Sequence, residues 1–139
     1  MLVGRIEAVA FKRYAKACVD LPVKGITVVT GDNGAGKSSL LDAVAWAGWG
    51  RTMGGANPWQ AAQGGPACVV AVEGPTVDLR RERTGRKVSL TWSRPGVAPV
   101  EYETTTKAQA ALEVVIGSFD MWRRTHVFTG ADAWAFADA

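Results

Sequence analysis

Eight consecutive residues of this 139-residue chain have the types and the spacing that hold a phosphate group. They are Gly31-Asp32-Asn33-Gly34-Ala35-Gly36-Lys37-Ser38, which fits the phosphate-binding pattern G-x-x-x-x-G-K-[ST]. Glycines let the backbone approach a ligand closely, so successive N–H groups can line an anion site at a helix N-terminus. The residues expected to wrap phosphates through their backbone are Asn33, Gly34, Ala35, Gly36, Lys37, Ser38 and Ser39.

Two side chains of the motif add chemistry to these amides. The Lys37 ammonium is expected to reach the β- and γ-phosphates of a nucleotide and to neutralise the charge that develops there, which makes it the candidate catalytic residue. The Ser38 hydroxyl is expected to join the ligands of a Mg²⁺ ion. The motif therefore predicts a nucleotide site that works with magnesium.

A strand and a helix must flank the loop for the motif to work. Residues 26–30 (Ile-Thr-Val-Val-Thr) form a β-branched run that predicts a buried strand. Residues 37–48 are predicted to form the helix that follows. Its apolar face would carry Leu40, Leu41, Val44, Ala45 and Gly48.

The rest of the chain predicts an α/β fold with an antiparallel meander. Strands are expected within residues 2–11, at 18–22, and in the meander at 68–72, 76–81 and 87–92. Helices are expected at 107–116, capped near Thr104 and stopped by Gly117, and from about Ser118, with a closing strand at 126–129. Residues 49–66 are rich in glycine and proline and predict a long, flexible surface excursion. All 139 residues are assigned to a single domain.

Composition excludes several classes of protein. Hydrophobic residues make up 47% and charged residues 21%, a globular balance, and the net charge of +3 permits an anionic partner without demanding one. Cys18 and Cys68 lack metal-ligand spacing and are expected to be buried, reduced thiols. No apolar run is long enough for a membrane span, and the first residues do not resemble a secretion signal. His126, the single histidine, has no cysteine or histidine cluster around it, which argues against a transition-metal site.

Residues 31–44 (Gly-Asp-Asn-Gly-Ala-Gly-Lys-Ser-Ser-Leu-Leu-Asp-Ala-Val) resemble the phosphate-binding loop of the ABC-type ATPase heads of the SMC, SbcC and RecF proteins. The opening strand followed by Lys12-Arg13-Tyr14, and residues 117–128 leading toward the family's Q-loop, are similar as well. The resemblance implies a P-loop NTPase fold, namely the N-terminal half of an ABC-type head. It implies ATP as the nucleotide and places Lys12 near its phosphates, with Arg13 beside Lys12 as a further residue that would contact the nucleotide. Tyr14 or Arg13 could instead stack on adenine, and all three could be solvated loop residues.

The resemblance also implies a biological setting. The intact protein would be an SbcC-like ATPase of phage or bacterial origin that acts in double-stranded DNA repair or recombination. A second ATPase head, joined as a homodimer on ATP binding, and an SbcD-like nuclease subunit would be its partners. It would lie in the cytoplasm, associated with the nucleoid or in the host of a phage, and not at a membrane.

Two departures from the family limit what this chain is expected to do alone. The family's coiled coil and C-terminal half, with the signature Leu-Ser-Gly-Gly and the Walker B acidic pair, would lie beyond Ala139. The chain is therefore expected to be a fragment that cannot hydrolyse ATP alone. Residues 69–73 look like a Walker B strand only superficially, because no aspartate precedes Glu73. Gly130 stands where the Q-loop glutamine is expected, and Asp132 could bind Mg²⁺ or orient water instead, or be a solvated loop residue.

A cluster of basic residues in the meander suggests a DNA contact that does not depend on base sequence. Its members are Arg80, Arg81, Arg83, Arg86 and Lys87. The alternative is a solubilising turn partly neutralised by Glu82. The six tryptophans are expected to pack in the core or at an interface rather than to stack on nucleic acid.

Two other functions fit the phosphate-binding motif. A small P-loop kinase of nucleotides or metabolites would need an acceptor pocket and a lid of arginines, for which residues 80–87 could serve. A nucleotide-binding module that has lost hydrolysis is the second alternative. Nucleotide-dependent dimerisation distinguishes an ATPase head from a kinase.

Overall fold

One antiparallel sheet organises the residues that the computed structural model describes, which are 1–53 and 67–127. Its strands are β1 (Arg5–Phe11), β2 (Tyr14–Asp20), β3 (Ala67–Glu73), β4 (Asp78–Thr84) and β5 (Lys87–Ser93), in the order β2-β1-β3-β4-β5. The helices are α1 (Lys37–Trp49), α2 (Thr105–Ile116) and α3 (Phe119–His126). The expected α/β fold is confirmed, with the β3–β5 meander packed beside α1.

The core lies between one face of the sheet and α1. Alternation along β1 and β3 turns Ile6, Ala8, Val70 and Val72 inward, and each of these side chains is buried. Helix α1 packs across β1, β3 and β4, and all of its residues from 42 to 49 are buried. This packing fixes α1 against the sheet, so the first turn of the helix is held in place.

Local signals set the ends of the helices. The Thr104 hydroxyl accepts a hydrogen bond from the Lys107 amide at 3.2 Å and caps α2, as its sequence position predicts. Ser118 caps α3 in the same way through the Met121 amide. Gly50, with φ of 67°, ends α1 and donates its N–H to the Trp46 carbonyl at 2.7 Å.

The predicted buried strand at residues 26–30 is not formed, and this expectation was wrong for the described structure. Ile26 is 93% exposed and Val28 76%. The physical reason is pairing: β2 and β3 already occupy both edges of β1, and no other described strand lies beside this segment. The β-branched run therefore lies in solvent with its apolar side chains uncovered.

Smaller corrections concern individual residues. Leu41 was expected on the apolar face of α1 but is 45% exposed, and Cys18 is exposed on β2, whereas Cys68 is buried as expected. His126 ends α3 instead of opening a strand. The predictions for residues 54–66, 128–129, Gly130 and Asp132 lie outside the described residues.

Candidate phosphate-binding site

The loop between residues 31 and 36 curls at the N-terminus of α1. Gly34 and Gly36 adopt φ of 84° and 107°, left-handed values that residues with a Cβ rarely adopt. The Ala35 amide donates to the Asp32 carbonyl at 3.0 Å and closes a turn. Gly36 is the N-cap of α1 and provides no side-chain cap, so the first N–H groups of the helix have no partner within it. The helix thus presents unpaired donors to an anion.

A cavity of about 180 Å³ opens at this point. It is lined by Arg13, Asn33, Gly34, Gly36, Lys37, Ser38 and Ser39. Because a water molecule occupies about 30 Å³ in the liquid, the space accommodates a polyatomic anion. The cavity brings together seven of the residues expected to bind the nucleotide, whereas Ala35 and Lys12 do not line it.

The Lys37 ammonium is engaged with the loop itself in this structure. Its Nζ donates to the Gly31 carbonyl and, at 2.8 Å, to the Asp32 carbonyl. These acceptors are neutral, and a phosphate oxygen is charged, so a bound phosphate offers the ammonium a stronger hydrogen bond. The geometry keeps Lys37 beside the cavity and free to transfer its donors to a ligand.

Arg13 supplies a second cation. Its guanidinium lies over Gly34, where an added Cβ would come within 3.5 Å of it. Arg13 occupies the turn between β1 and β2, and no ion pair involving its side chain occurs among residues 1–53 and 67–127. A planar guanidinium of this kind suits bidentate contact with phosphate.

Lys12 contacts a carboxylate and not the phosphate-binding cavity that the family resemblance suggests. Its ammonium forms an ion pair with the carboxylate of Asp42, and the two side chains are only 19% and 7% exposed. The second oxygen of Asp42 accepts the Met53 amide at 2.7 Å. The expected contact of Lys12 with phosphates is therefore not seen, because the nearest strong acceptor is a carboxylate on α1. Asp42 was not predicted as a partner of Lys12, although a charged residue within an otherwise apolar stretch of α1 was the available signal.

Tyr14, the first residue of β2, contacts the loop backbone directly. Its hydroxyl donates to the Gly36 carbonyl at 2.5 Å, and burial raises the pKa of the phenol above 10.0. An added Cβ at Gly36 would come within 3.1 Å of the Tyr14 ring. The ring therefore packs on the loop instead of standing free to stack on a base.

The residues present fit a magnesium-bound nucleotide. Ser38 is exposed and lines the cavity, so its hydroxyl is the side chain that would ligate Mg²⁺ there. Magnesium in nucleotide sites takes most of its other ligands from phosphate and water. Within the described parts of the chain, no group of three or more histidine, cysteine, aspartate or glutamate side chains could hold a metal by itself. Asp132, the second expected ligand, lies outside those parts.

The basic residues of the meander do not form one surface. Arg81 was expected at DNA but is 4% exposed, because alternation along β4 turns it toward the core. Its guanidinium donates to the Ala47 carbonyl at 3.1 Å and to Gln109, and burial lowers its pKa to about 10. Arg80 is paired with Glu82 at 3.2 Å. Arg86 and Lys87 are exposed, at the turn between β4 and β5, and Arg83 is half-buried on β4.

The described tryptophans pack, as expected. Trp46 and Trp49 are 2% and 6% exposed, and the Trp49 ring lies 4.8 Å from that of Trp122. Trp92 is half-buried and stacks on Tyr102. None of the helices in the described ranges is long and apolar enough to cross a membrane.

Comparison with known proteins agrees with this site. The family model described as "AAA domain" matches residues 5–113. The chain is 45% identical over 47 residues to the chromosome partition protein Smc of Bacillus subtilis, covering 33% of this chain and 4% of that protein. It is 36% identical over 108 residues to the DNA double-strand break repair Rad50 ATPase of Halobacterium salinarum, covering 73% of this chain and 11% of that protein.

These matches extend well beyond the glycine-rich loop. The match to the AAA domain runs from the first residue of β1 into α2 and includes the whole sheet. The chain spans only a small part of the two curated relatives, as their covered shares of 4% and 11% show. The protein belongs to the AAA-domain family, as part of the N-terminal ATPase head of the SMC/SbcC/Rad50 superfamily.

Proposed function

We propose that this chain is the ATP-binding portion of an SMC/SbcC-like ATPase. The observation that carries the proposal is the cavity at the N-terminus of α1, where unpaired amides, Lys37, Ser38 and Arg13 converge. A triphosphate is a ligand whose negative charge matches this set of donors. The family match favours an ATPase head over the small kinase that the motif alone also allowed.

The residues of the site have different roles in binding the nucleotide. The amides at the start of α1 hold the phosphates, while Lys37 and Arg13 offset their charge. Mg²⁺ bound at Ser38 would neutralise charge on the phosphates during phosphoryl transfer. Among the described residues no carboxylate or histidine lines the cavity, so we propose that hydrolysis requires a base supplied from elsewhere in the protein or from a second head.

The uncovered apolar segment supports a head made of more than the described residues. Ile26, Val28 and Val29 are 93%, 76% and 48% exposed, and Leu41 on α1 is 45% exposed. Val29 and Leu41 line the same apolar pocket, and exposed apolar residues of this kind mark a face for contact with another part of the protein or a partner. We propose that a further segment packs here and completes the head, with a second head joining when ATP is bound.

The biological setting is proposed from the names of the relatives. One is a DNA double-strand break repair ATPase and the other a chromosome partition protein, which supports an action on double-stranded DNA. Within that setting we propose an SbcD-like nuclease subunit as partner, Mg²⁺ as cofactor and a cytoplasmic location. Arg86 and Lys87, exposed at the β4–β5 turn, are the remaining candidates for contact with DNA phosphates, with Arg83 beside them.

Nucleotide-dependent dimerisation tests this proposal. The mass of the protein is measured in solution with Mg²⁺ and either no nucleotide, ADP or a slowly hydrolysed ATP analogue. A dimer that appears only with the ATP analogue and is lost in Lys37→Ala is the expected result. A protein that binds the analogue and stays monomeric at every concentration would favour a kinase or a simple binding module.

A further inference from the structure

Tyr14 contacts the phosphate-binding loop at one defined backbone atom. We propose that Tyr14 is a positioning residue whose hydroxyl orients the Gly36–Lys37 peptide, so that the Lys37 N–H faces the bound phosphate. The proposal rests on the nucleotide binding proposed above. It assigns to the first residue of β2 a role in the site that involves no contact with the ligand.

Peptide geometry gives the first step. The Tyr14 hydroxyl donates to the Gly36 carbonyl at 2.5 Å. No cis peptide bond occurs in the described residues, and in a trans peptide the carbonyl and the N–H of the following residue point in opposite directions. Holding the Gly36 carbonyl toward Tyr14 therefore turns the Lys37 N–H away from Tyr14. Gly36 and Lys37 both line the cavity, so this N–H, one of the first amides of α1 with no partner in the helix, lies beside the anion site.

Steric contact gives the second step. The Tyr14 ring lies so close to Gly36 that an added Cβ would be 3.1 Å from its Cε1 atom. Gly36 also needs its φ of 107°, so glycine is required both for the conformation and for the close approach. The ring thus blocks one side of the loop, and the hydroxyl fixes the carbonyl that faces it.

Anchoring of the hairpin gives the third step. Tyr14 is paired with Phe11 across the turn, and Phe11 is fully buried against Trp46 at a centroid distance of 5.7 Å. The Lys12–Asp42 ion pair ties the same turn to α1. Because the short hairpin fixes the position of the Tyr14 hydroxyl, the peptide of the glycine-rich loop adapts to the hydroxyl and not the reverse.

The test removes the hydroxyl and keeps the ring. Tyr14→Phe is compared with Tyr102→Phe, the matched deletion in the chain's other tyrosine, which stacks on Trp92 away from the loop. Binding of ATP and of inorganic tripolyphosphate is measured by calorimetry in the intact protein. We expect both dissociation constants to rise about 3- to 10-fold in Tyr14→Phe and to stay unchanged in Tyr102→Phe, as the loss of one hydrogen bond implies.

A spectroscopic measurement distinguishes a role of Tyr14 in orienting the Lys37 N–H from a role in the overall stability of the fold. In amide NMR spectra without ligand, Tyr14→Phe is expected to shift the Lys37 N–H resonance, and thermal unfolding is recorded alongside. A lower melting temperature with unchanged affinities and an unchanged Lys37 resonance would reduce Tyr14 to a structural role and overturn the proposal. The same holds if only Tyr14→Ala weakens ATP while tripolyphosphate binds normally, because that result indicates stacking on adenine.

The outcomes also distinguish this proposal from the function it rests on. Wild-type protein that binds neither ATP nor tripolyphosphate overturns both. Wild-type protein that binds, with affinity lost in Lys37→Ala and kept in Tyr14→Phe, leaves the nucleotide site standing and overturns the role of Tyr14 alone.

Discussion

The ion pair between Lys12 and Asp42 allows a quantitative test of how the β1–β2 turn is fixed to α1. Lys12 has a φ of 49°, a left-handed conformation that costs on the order of 1 kcal/mol for a residue with a side chain, so something must hold it there. The Asp42 carboxylate on α1 does so, and its second oxygen accepts the Met53 amide. We therefore expect Lys12 to act as an anchor of the β1–β2 turn and not as a ligand of phosphate.

The two single substitutions are expected to differ in cost. Lys12→Met leaves the carboxylate, whose side chain is only 7% exposed, with one amide partner, which should destabilise the fold by about 3 kcal/mol. Asp42→Asn keeps an acceptor for Met53. The 19% exposed Lys12 can also turn its ammonium into water, so we expect a loss of about 1–2 kcal/mol. Because the second change relieves the unpaired charge left by the first, the double variant should recover about 2 kcal/mol relative to the sum.

Urea unfolding followed by tryptophan fluorescence measures the free energy of unfolding of the wild type, the two single variants and the double variant. The affinity of the double variant for ATP is then compared with that of the wild type. We expect Lys12→Met/Asp42→Asn to bind ATP within about threefold of the wild type, since neither residue lines the cavity. A coupling near zero would show that the pair contributes nothing. A well-folded double variant that has lost ATP affinity tenfold or more would show that Lys12 does bind phosphate, as the family resemblance suggested.

Three further predictions concern Arg81, the two cysteines and the pH dependence of the Tyr14 contact. Burial of the Arg81 guanidinium costs about 3 kcal/mol, as the fall of its pKa to about 10 indicates. Arg81→Lys keeps the buried charge but loses the forked hydrogen-bond donors, so we expect Arg81→Met to unfold at a higher urea concentration than Arg81→Lys. The reverse order of the two urea midpoints would contradict this reasoning. We expect Cys18 to react with a thiol reagent at once and Cys68 to react only on unfolding, because Cys68 is 1% exposed and burial raises the pKa of its thiol. Equal reaction rates of the two thiols in the folded protein would contradict the packing of β3. Burial raises the pKa of Tyr14, so its phenol is protonated in the folded and the unfolded chain below about pH 10, and its contribution is lost only as pH rises through the folded-state pKa. The ratio of ATP affinities between wild type and Tyr14→Phe should therefore be constant from about pH 7 to pH 9, and a change in that range would point to another titrating group.

The elements with local signals were predictable from the sequence. The phosphate-binding loop, α1, the meander and the caps at Thr104 and Ser118 all depend on residues close together in the chain. Arg81 shows how such a signal can mislead. A run of basic letters suggested a solvated surface, yet the alternation of β4 places Arg81 on the same side as Leu79, toward α1.

The remaining errors concern partners that are distant in the sequence. Residues 26–30 have the composition of a buried strand, but a strand needs a neighbour to pair with, and composition does not supply one. The family resemblance placed Lys12 at the phosphates, whereas its partner in the structure is a carboxylate thirty residues later on α1, which the neighbouring sequence does not reveal. The contact of Tyr14 with Gly36 was not predicted for the same reason, since its acceptor is a backbone carbonyl that the sequence does not mark.

In the proposed function, backbone amides and Lys37 at the start of α1 bind a triphosphate. Titration of the protein with Mg²⁺ and ATP by calorimetry tests it most directly, with Lys37→Ala compared with Lys107→Ala, whose exposed pair with Glu103 contributes little. We expect saturable binding that Lys37→Ala weakens by about tenfold or more and Lys107→Ala leaves unchanged. Equal affinity of the wild type and Lys37→Ala, or no binding of ATP by the folded protein, would contradict it.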